Sequence, residues 1–423
     1  MLGLVRRPFR DLPREVPVLS AISFTVALGY GIAAPAIPQF AHQFGVSVAA
    51  AASVISVFAL LRVVCALPAG RLVDRFGEPA VMAVGIAVVA VSSILAGFST
   101  SFAELLVLRG GGGAGSAMFS ISSQALLLGR VPGSQRGRAS GLYSGGFLLG
   151  GISGPAVGGL VAAWSLRAPF FIYGGLLIVP VFIAAVVLRR HPRLGPSPLQ
   201  PPVGQPPVGQ PPGPAVQFWP EIARALRSRV FRAAAFTNLA DGFAALGVRG
   251  ALVPLFVRDV LHRSPVWTGV GFLVFAALNA AALLPAGRVA DEAGRRPVII
   301  TGCLASAAGL VVLAVLSGPW AFLAGLAVAG LGSGLLDVAP SAMVGDMLGG
   351  RGGTLVASYQ MAGDIGAVAG PVVAGLLVDA ASYSAAFAMA AAVLAVAAVL
   401  CVLAPETATG SARGRGSGPA AAR

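Results

Sequence analysis

Of 423 residues, 57% are hydrophobic and 10% charged, where a soluble domain carries roughly 25% charged residues; no soluble fold could hide this much apolar surface, so the bilayer must be the solvent. The formal net charge of +14 comes from arginine alone, because the 29 basic residues include no lysine; the arginines are spread through short polar segments and form no single basic face, which excludes nucleic acid as a partner. Cys65, Cys303 and Cys401 lie in apolar runs without ligand spacing, so neither a metal nor a cofactor is expected.

Arg6, Arg7, Arg10 and Arg14 precede the first apolar run, as they would in a secretory signal peptide, but the run from Val16 to Phe40 is too long for one. Apolar spans then follow at 16–40, 46–69, 79–99, 102–129, 138–164 and 168–188, and again at 230–257, 265–286, 297–317, 319–345, 353–378 and 382–403. Each approaches or exceeds the roughly 20 residues a helix needs to cross a bilayer. The expectation is an all-α membrane protein of twelve transmembrane helices with both termini on one side. Arg167, Arg258 and Arg263 alone fall between spans on the opposite side, so the arginine-rich side with both termini is expected to be cytoplasmic, in the inner membrane of a prokaryote.

The chain divides into residues 1–188, a first six-helix bundle; 189–229, a linker; 230–404, a second bundle; and 405–423, a polar, disordered tail. In the linker, Pro201 to Pro212 repeats Pro-Pro-Val-Gly-Gln, which reads as an extended spacer or, alternatively, as a ligand for a proline-binding partner domain. Pro220 to Arg232 reads as an amphipathic helix at the membrane surface, with Ile222, Ala225, Leu226 and Val230 on its apolar side between Arg224, Arg227 and Arg229.

One charged stretch occurs twice. Gly70, Asp74 and Gly77 are followed 217 positions later by Gly287, Asp291 and Gly294, a spacing of half the chain, which marks a duplicated unit. The pattern G-x-x-x-D-[RK]-x-G-[RK]-[RK] after the second span of each half resembles the signature loop of the major facilitator superfamily, and the resemblance covers about residues 16–404. It implies two pseudo-symmetric six-helix bundles rocking about a midplane cavity. It also implies that Gly70, Asp74, Arg75, Gly77, Gly287, Asp291, Gly294 and Arg295 form a conformational gate, in which Asp74 accepts hydrogen bonds from a helix N-terminus. Plain loop capping is the alternative. This chain departs from the pattern at Glu78, Pro79 and Glu292, and an ion pair inside each loop, Arg75–Glu78 and Glu292–Arg295, is expected.

Gly110, Gly112 and Gly115 fit a dinucleotide fingerprint, but they lie in a membrane span with no strand before them, so close helix packing is the better reading. Arg109, Gly113, Gly115 and Ala117 resemble the family's fourth-helix motif, whose arginine is linked there to proton coupling; Gly330, Gly332 and Gly334 repeat it 217 positions on. In the fifth span, Gly146, Gly150, Gly154 and Gly158 share one helix face. Gly150, Gly154, Pro155, Gly158 and Gly159 match G-x-x-x-G-P-x-x-G-G, which the family associates with antiporters, especially drug–proton exporters; Pro155 is expected to kink the helix. Generic tight packing is the alternative, and Ala362, Gly366, Gly370, Pro371 and Ala374 echo the pattern in the eleventh span.

Ionisable residues inside a bilayer are expensive and mark function. They are Arg62, Arg109, Asp241, Arg249, Asp337 and Asp364, with Glu104 at the outer start of the fourth span. Asp241, Asp337 and Asp364 either load and release protons or stay paired with Arg62, Arg109 and Arg249 to fix helix register. The first span, with Tyr30, Pro35 and Pro38, has no acid where related drug exporters often carry one, which moves coupling to the second half. Tyr30, Gln124, Asn238, Asn279, Tyr359 and Gln360 are candidates to line the substrate cavity.

The expected function is secondary active transport by alternating access, as a proton-coupled efflux antiporter for drug-like hydrophobic compounds. Sugar or metabolite export and proton-coupled uptake are alternatives on the same fold. A monomer is expected, with the bilayer, protons and a small-molecule substrate as partners. An enzyme is not expected, since His42, His191 and His262 lie near or beyond the membrane edge and no nucleophile–base spacing occurs. A receptor would carry a sizeable soluble domain.

Overall fold

The protein is described by a computed structural model covering residues 13, 15–131, 136–187, 218–347 and 353–407. The proline repeat, His191 and the tail beyond residue 407 lie outside the described residues. The described residues are helical almost throughout. The first half comprises α1 (Glu15–Ala33), α2 (Ala36–His42), α3 (Val48–Val64), α4 (Ala66–Phe76), α5 (Glu78–Phe98), α6 (Phe102–Arg130), α7 (Arg136–Trp164), α8 (Ala168–Leu176) and α9 (Ile178–Phe182), with a wide-turn π segment at Ile183–Val187. The second half comprises α10 (Phe218–Arg227), α11 (Arg229–Gly242), a π segment at Phe243–Leu252, α12 (Val253–Asp259), α13 (Pro265–Glu292), α14 (Arg295–Val315), α15 (Pro319–Leu336), α16 (Ala339–Asp346), α17 (Gly353–Ala380) and α18 (Tyr383–Val402).

Among the described residues, ten helices are long and apolar enough to cross a membrane, or eleven with the bent pair α3–α4. The remaining span is α6, whose 29 residues reach about 43 Å at 1.5 Å per residue but whose glycines and charges lower its hydropathy. These are the twelve expected spans.

Proline decides where spans break. It has no N–H to offer the carbonyl four residues back. Pro38, Pro68, Pro180 and Pro340 would face Ala34, Val64, Leu176 and Leu336, and the first, second, sixth and tenth spans break there. The second span bends by 47° at its break. By contrast, α7 continues as one helix through Pro155.

Three expectations are corrected. The signature stretches are not loops: α4 runs through Gly70, Asp74 and Arg75 to Phe76, and α13 runs through Gly287 to Glu292. Each turn is made by a single glycine in the left-handed region, Gly77 at φ +84° and Gly294 at φ +103°, a conformation other residues adopt at a cost. Second, the amphipathic helix ends at Arg227, because Ser228 caps a new helix by accepting from the Phe231 N–H; Arg229 and Arg232 therefore open the seventh span. Third, that span is not one regular helix but carries the π segment before Pro254.

Within each half, glycines set the closest approaches. A Cβ on Gly150 or Gly158 would strike the carbonyl oxygens of Phe24 and Ile32, and one on Gly154 would lie 2.6 Å from the Gly31 Cα, so the fifth span lies against the first backbone to backbone. Gly366 and Gly370 hold the eleventh span on the seventh in the same way. The repeat also holds in detail: Gly113 faces the Phe58 carbonyl and Gly330 faces that of Phe275.

The halves meet along two seams, second span to eleventh and fifth to eighth. The tight contacts are at the end away from Gly77 and Gly294. There a Cβ on Gly375 would lie 2.6 Å from the Ala49 Cα, and one on Gly159 would lie 2.5 Å from the Gly269 Cα. At the signature end, α4 packs on α5 and α6 of its own half.

Candidate functional site

Two polar clusters lie at mid-span, one in each half. In the first, Arg109 of α6 is fully buried at 1% exposure, with Nε and Nη1 lacking a hydrogen-bond partner. Its guanidinium carbon lies 4.8 Å from the centre of the Phe58 ring on α3. Tyr30 of α1 packs 5.7 Å from that ring and 6.5 Å from Tyr173 of α8. A desolvated cation–aromatic contact contributes about 2 kcal/mol, less than the several kcal/mol it costs to bury an unpaired ion, so this arginine is held at a net expense.

The second cluster mirrors the first by a different route. Arg249, from the π segment, sits 3.9 Å over the Phe275 ring on α13. Phe275 stands 217 positions after Phe58, whereas the repeat position of Arg109 is Leu326. The fold thus keeps an arginine on the equivalent aromatic ring in each half but supplies it from the fourth span in one and the seventh in the other. Leu326 instead lines a cavity of about 20 Å³ together with Asp241, Arg249, Ser306 and Ser333, room for about one water molecule.

Asp337 occupies the break between α15 and α16, where the residue is exposed, and its carboxylate accepts a 3.0 Å, partly buried hydrogen bond from Asn279 Nδ2. Asp241 lies within electrostatic reach of both Arg249 and Asp337. Asn238 Nδ2 donates to the Tyr359 carbonyl at 2.7 Å. Two of the residues expected to line the cavity, Asn238 and Asn279, are therefore engaged with protein groups. Tyr359 is buried, while Gln124 and Gln360 are exposed.

Arg62 is exposed on the last turn of α3, immediately before the bend. Its charge acts on Tyr30 of the first span, Tyr143 of the fifth and Asp364 of the eleventh, which places it between the halves. Among the described residues, ion pairs within 4.0 Å join Arg258 to Asp259 and Arg295 to Asp346; none joins Asp241, Asp337 or Asp364 to Arg62, Arg109 or Arg249.

At the signature end, Asp74 is exposed and accepts no hydrogen bond among the described residues, while the side chain of Asp291 lies outside them. Gly70 and Gly287 have open space around them. The expected pairs within each stretch are replaced by other contacts. Arg75 stacks over the Phe76 ring at 5.3 Å, and Arg295 Nε meets Asp346 Oδ2 at 3.3 Å. Glu406, after the last span, accepts from the backbone N–H groups of Arg295 and Arg296 at 2.9 and 3.0 Å and so caps α14. Glu104 is a capping residue too: it accepts from the Thr100 N–H at 2.8 Å while Ser101 Oγ accepts from the Glu104 N–H.

Sequence reasoning missed Phe58, Phe275, Tyr173 and Asp379. Applying the 217-residue offset to the aromatics, as it was applied to the glycines, finds the first two. Tyr173 and Asp379 have no repeat counterpart of like chemistry, since Ala390 and Ala162 stand at the equivalent positions.

A family model described as Major Facilitator Superfamily matches residues 19–270 and 234–423. The chain is 28% identical over 180 residues to the quinolone resistance protein NorA of Staphylococcus aureus (strain MRSA252), covering 43% of this chain and 46% of that protein. It is 25% identical over 173 residues to Multidrug resistance protein 2 of Bacillus subtilis (strain 168), covering 41% and 43%. The alignments thus span about half the length of these curated relatives. In fold it is similar to a bacterial homolog of the human lysosomal transporter Spinster, in inward-facing and unoccupied conformation, with a TM-score of 0.70 at 15% identity over 92% of this chain and 94% of that one.

Proposed function

The chain belongs to the Major Facilitator Superfamily, and on that premise we propose that it is a proton-coupled exporter of drug-like compounds, working by alternating access between its two halves. The observation that carries the coupling is Asp337. It sits in a helix break at mid-span, the residue is exposed, its carboxylate accepts from Asn279, and no arginine lies within 4.0 Å of it among the described residues, although Arg249 is within electrostatic reach. An acid so placed can take a proton from one side and release it to the other. Asp241, beside Arg249 and within electrostatic reach of Asp337, is the second carrier. The named drug-resistance relatives support the substrate class. The joined far end and the separate packing of α4 support a state open at the signature end, and the distribution of arginines supports taking that end as the cytoplasmic side.

Reconstitution in liposomes with a trapped pH dye tests this. Protons moving opposite to an added compound, with the movement lost in Asp337→Asn, is the expected result. Protons moving with the compound would make the protein an uptake symporter.

A further inference from the structure

The space inside the second half between Asp241, Arg249, Ser306 and Ser333 has a volume of about 20 Å³. Its polar lining comes from four segments: Asp241 from α11, Arg249 from the π segment, Ser306 from α14 and Ser333 from α15. Eight residues of regular α-helix make about 2.2 turns, which would aim Arg249 about 80° away from Asp241. The π segment turns less per residue, so it reduces that angle and both side chains reach one space. Yet no ion pair within 4.0 Å joins them among the described residues, and the Asp241 carboxylate accepts no hydrogen bond there. Ser333, 4% exposed, has a hydroxyl without a partner among the described residues, and that of Ser306, 6% exposed, reaches the Ala329 carbonyl at 3.5 Å. The duplicated fold does not demand this set. At the repeat positions the first half has Phe24, Ile32 and Val89 in place of Asp241, Arg249 and Ser306, while Ser116 stands for Ser333.

We propose that this space is a binding site for one water molecule bridging Asp241 to Arg249, with Ser306 and Ser333 as the positioning residues that hold it. The inference rests on the proposed role of Asp241 as a proton carrier and adds to it. A small cation here would face the Arg249 guanidinium, and an anion would face the Asp241 carboxylate. A neutral molecule that both donates and accepts suits the two at once. The water donates to Asp241 and to one serine oxygen, and accepts from Arg249 and from the other serine, which fills the bonding capacity of a buried water. When Asp241 holds a proton, its O–H donates to the water, which turns its own hydrogens to the two serines. The site serves either state of the acid without moving a helix, whereas a direct ion pair would favour the charged state alone.

The test uses the purified full chain, crystallised with rubidium bromide in place of sodium chloride. Expected is one density peak within hydrogen-bond distance of Asp241, Arg249 and at least one serine, with no anomalous signal from rubidium or bromide. An ion's signal at that point, or direct contact of Asp241 with Arg249 and no peak between them, would overturn the site. Infrared difference spectra across a pH step then link the water to the acid; the other ionisable groups acting with Asp241 are Asp337, Cys303 and Tyr359. Wild type is expected to show a water O–H stretch that moves in heavy-oxygen water. The band should vanish in Asp241→Asn and in Ser333→Val, which sets two methyl groups where the hydroxyl was, and should shift in Ser306→Ala. A band untouched by the serine changes would remove them as positioning residues. In liposomes, Ser333→Val should lower compound-driven proton flux about tenfold or more. Full coupling in a Ser333→Val protein that has lost the band would overturn the water's role. Density and spectrum need no transported compound, so a wild type that moves no protons would remove the transport reading and leave the site standing.

Discussion

Asp379, at the far end of the eleventh span, caps the helix that begins at Val48 in the other half: its Oδ1 accepts from the Val48 N–H and its Oδ2 from the Ala49 N–H, both at 2.9 Å. A helix start presents unpaired N–H groups and a positive dipole end, so a carboxylate there contributes about 1 kcal/mol. The two partners belong to different halves, so opening the far end would break the contact. Asp379→Asn removes the charge and one acceptor, and is expected to shift the population toward the state open at the far end about fivefold. Spin labels across the second and eleventh spans at that end would report a grown long-distance population; an unchanged distribution would remove this clamp from the mechanism.

The same end tests what the fifth-span motif does. Gly150 and Gly158 meet the first span inside one half, and Gly159 meets Gly269 across the seam. Gly158→Ala should force the fifth and first spans apart, cost about 1–3 kcal/mol and lower Tm. Gly159→Ala should instead wedge the far end open with a smaller loss of Tm. Gly151→Ala, with nothing within 4 Å, is the neutral control. Equal melting of all three would count against motif-specific packing.

Glu406 gives a third expectation. Its carboxylate bonds the first two N–H groups of α14, and Thr407 Oγ1 donates to Asp346 at 3.1 Å, so the ends of the ninth, tenth and twelfth spans are tied together. Glu406→Ala should lower Tm by the loss of a cap, about 1 kcal/mol, with the effect confined to the second half in hydrogen exchange. Faster exchange in α14 alone would match; uniform change across both halves would not.

The sequence made the fold legible for a physical reason: a bilayer-spanning chain writes each helix as one apolar run, and the duplicated Gly70–Gly77 and Gly287–Gly294 stretches mark the halves. The breaks were harder to read, although Pro38, Pro68, Pro180 and Pro340 were in view, because Pro155, Pro285 and Pro371 sit inside unbroken helices. Charges at mid-span were found by composition alone. Their partners were not, because Arg109 on Phe58 and Arg249 on Phe275 are contacts between spans with no common sequence spacing. Asn279 is legible as a polar candidate to line the cavity, but its bond to Asp337 joins two spans that no sequence spacing relates.

Pro340 joins helix geometry to coupling. It denies Leu336 a hydrogen-bond donor, opens the gap between α15 and α16, and leaves Asp337 in that gap with its carboxylate bonded to Asn279. An interior proline costs a helix about 3 kcal/mol, and part of that returns when the N–H is restored. Pro340→Ala is therefore expected to raise Tm by a few degrees, because the restored backbone N–H could close the bond to Leu336 and straighten the tenth span. Straightening would draw Asp337 into regular helix and away from Asn279. Proton-coupled flux should then fall about tenfold or more while the protein becomes more stable, as when a strained site is relaxed. Asp337→Asn separates the two effects: it should abolish proton movement while leaving the break in place. A Pro340→Ala protein that is stabilised and fully coupled would show that the break serves folding and not proton transfer.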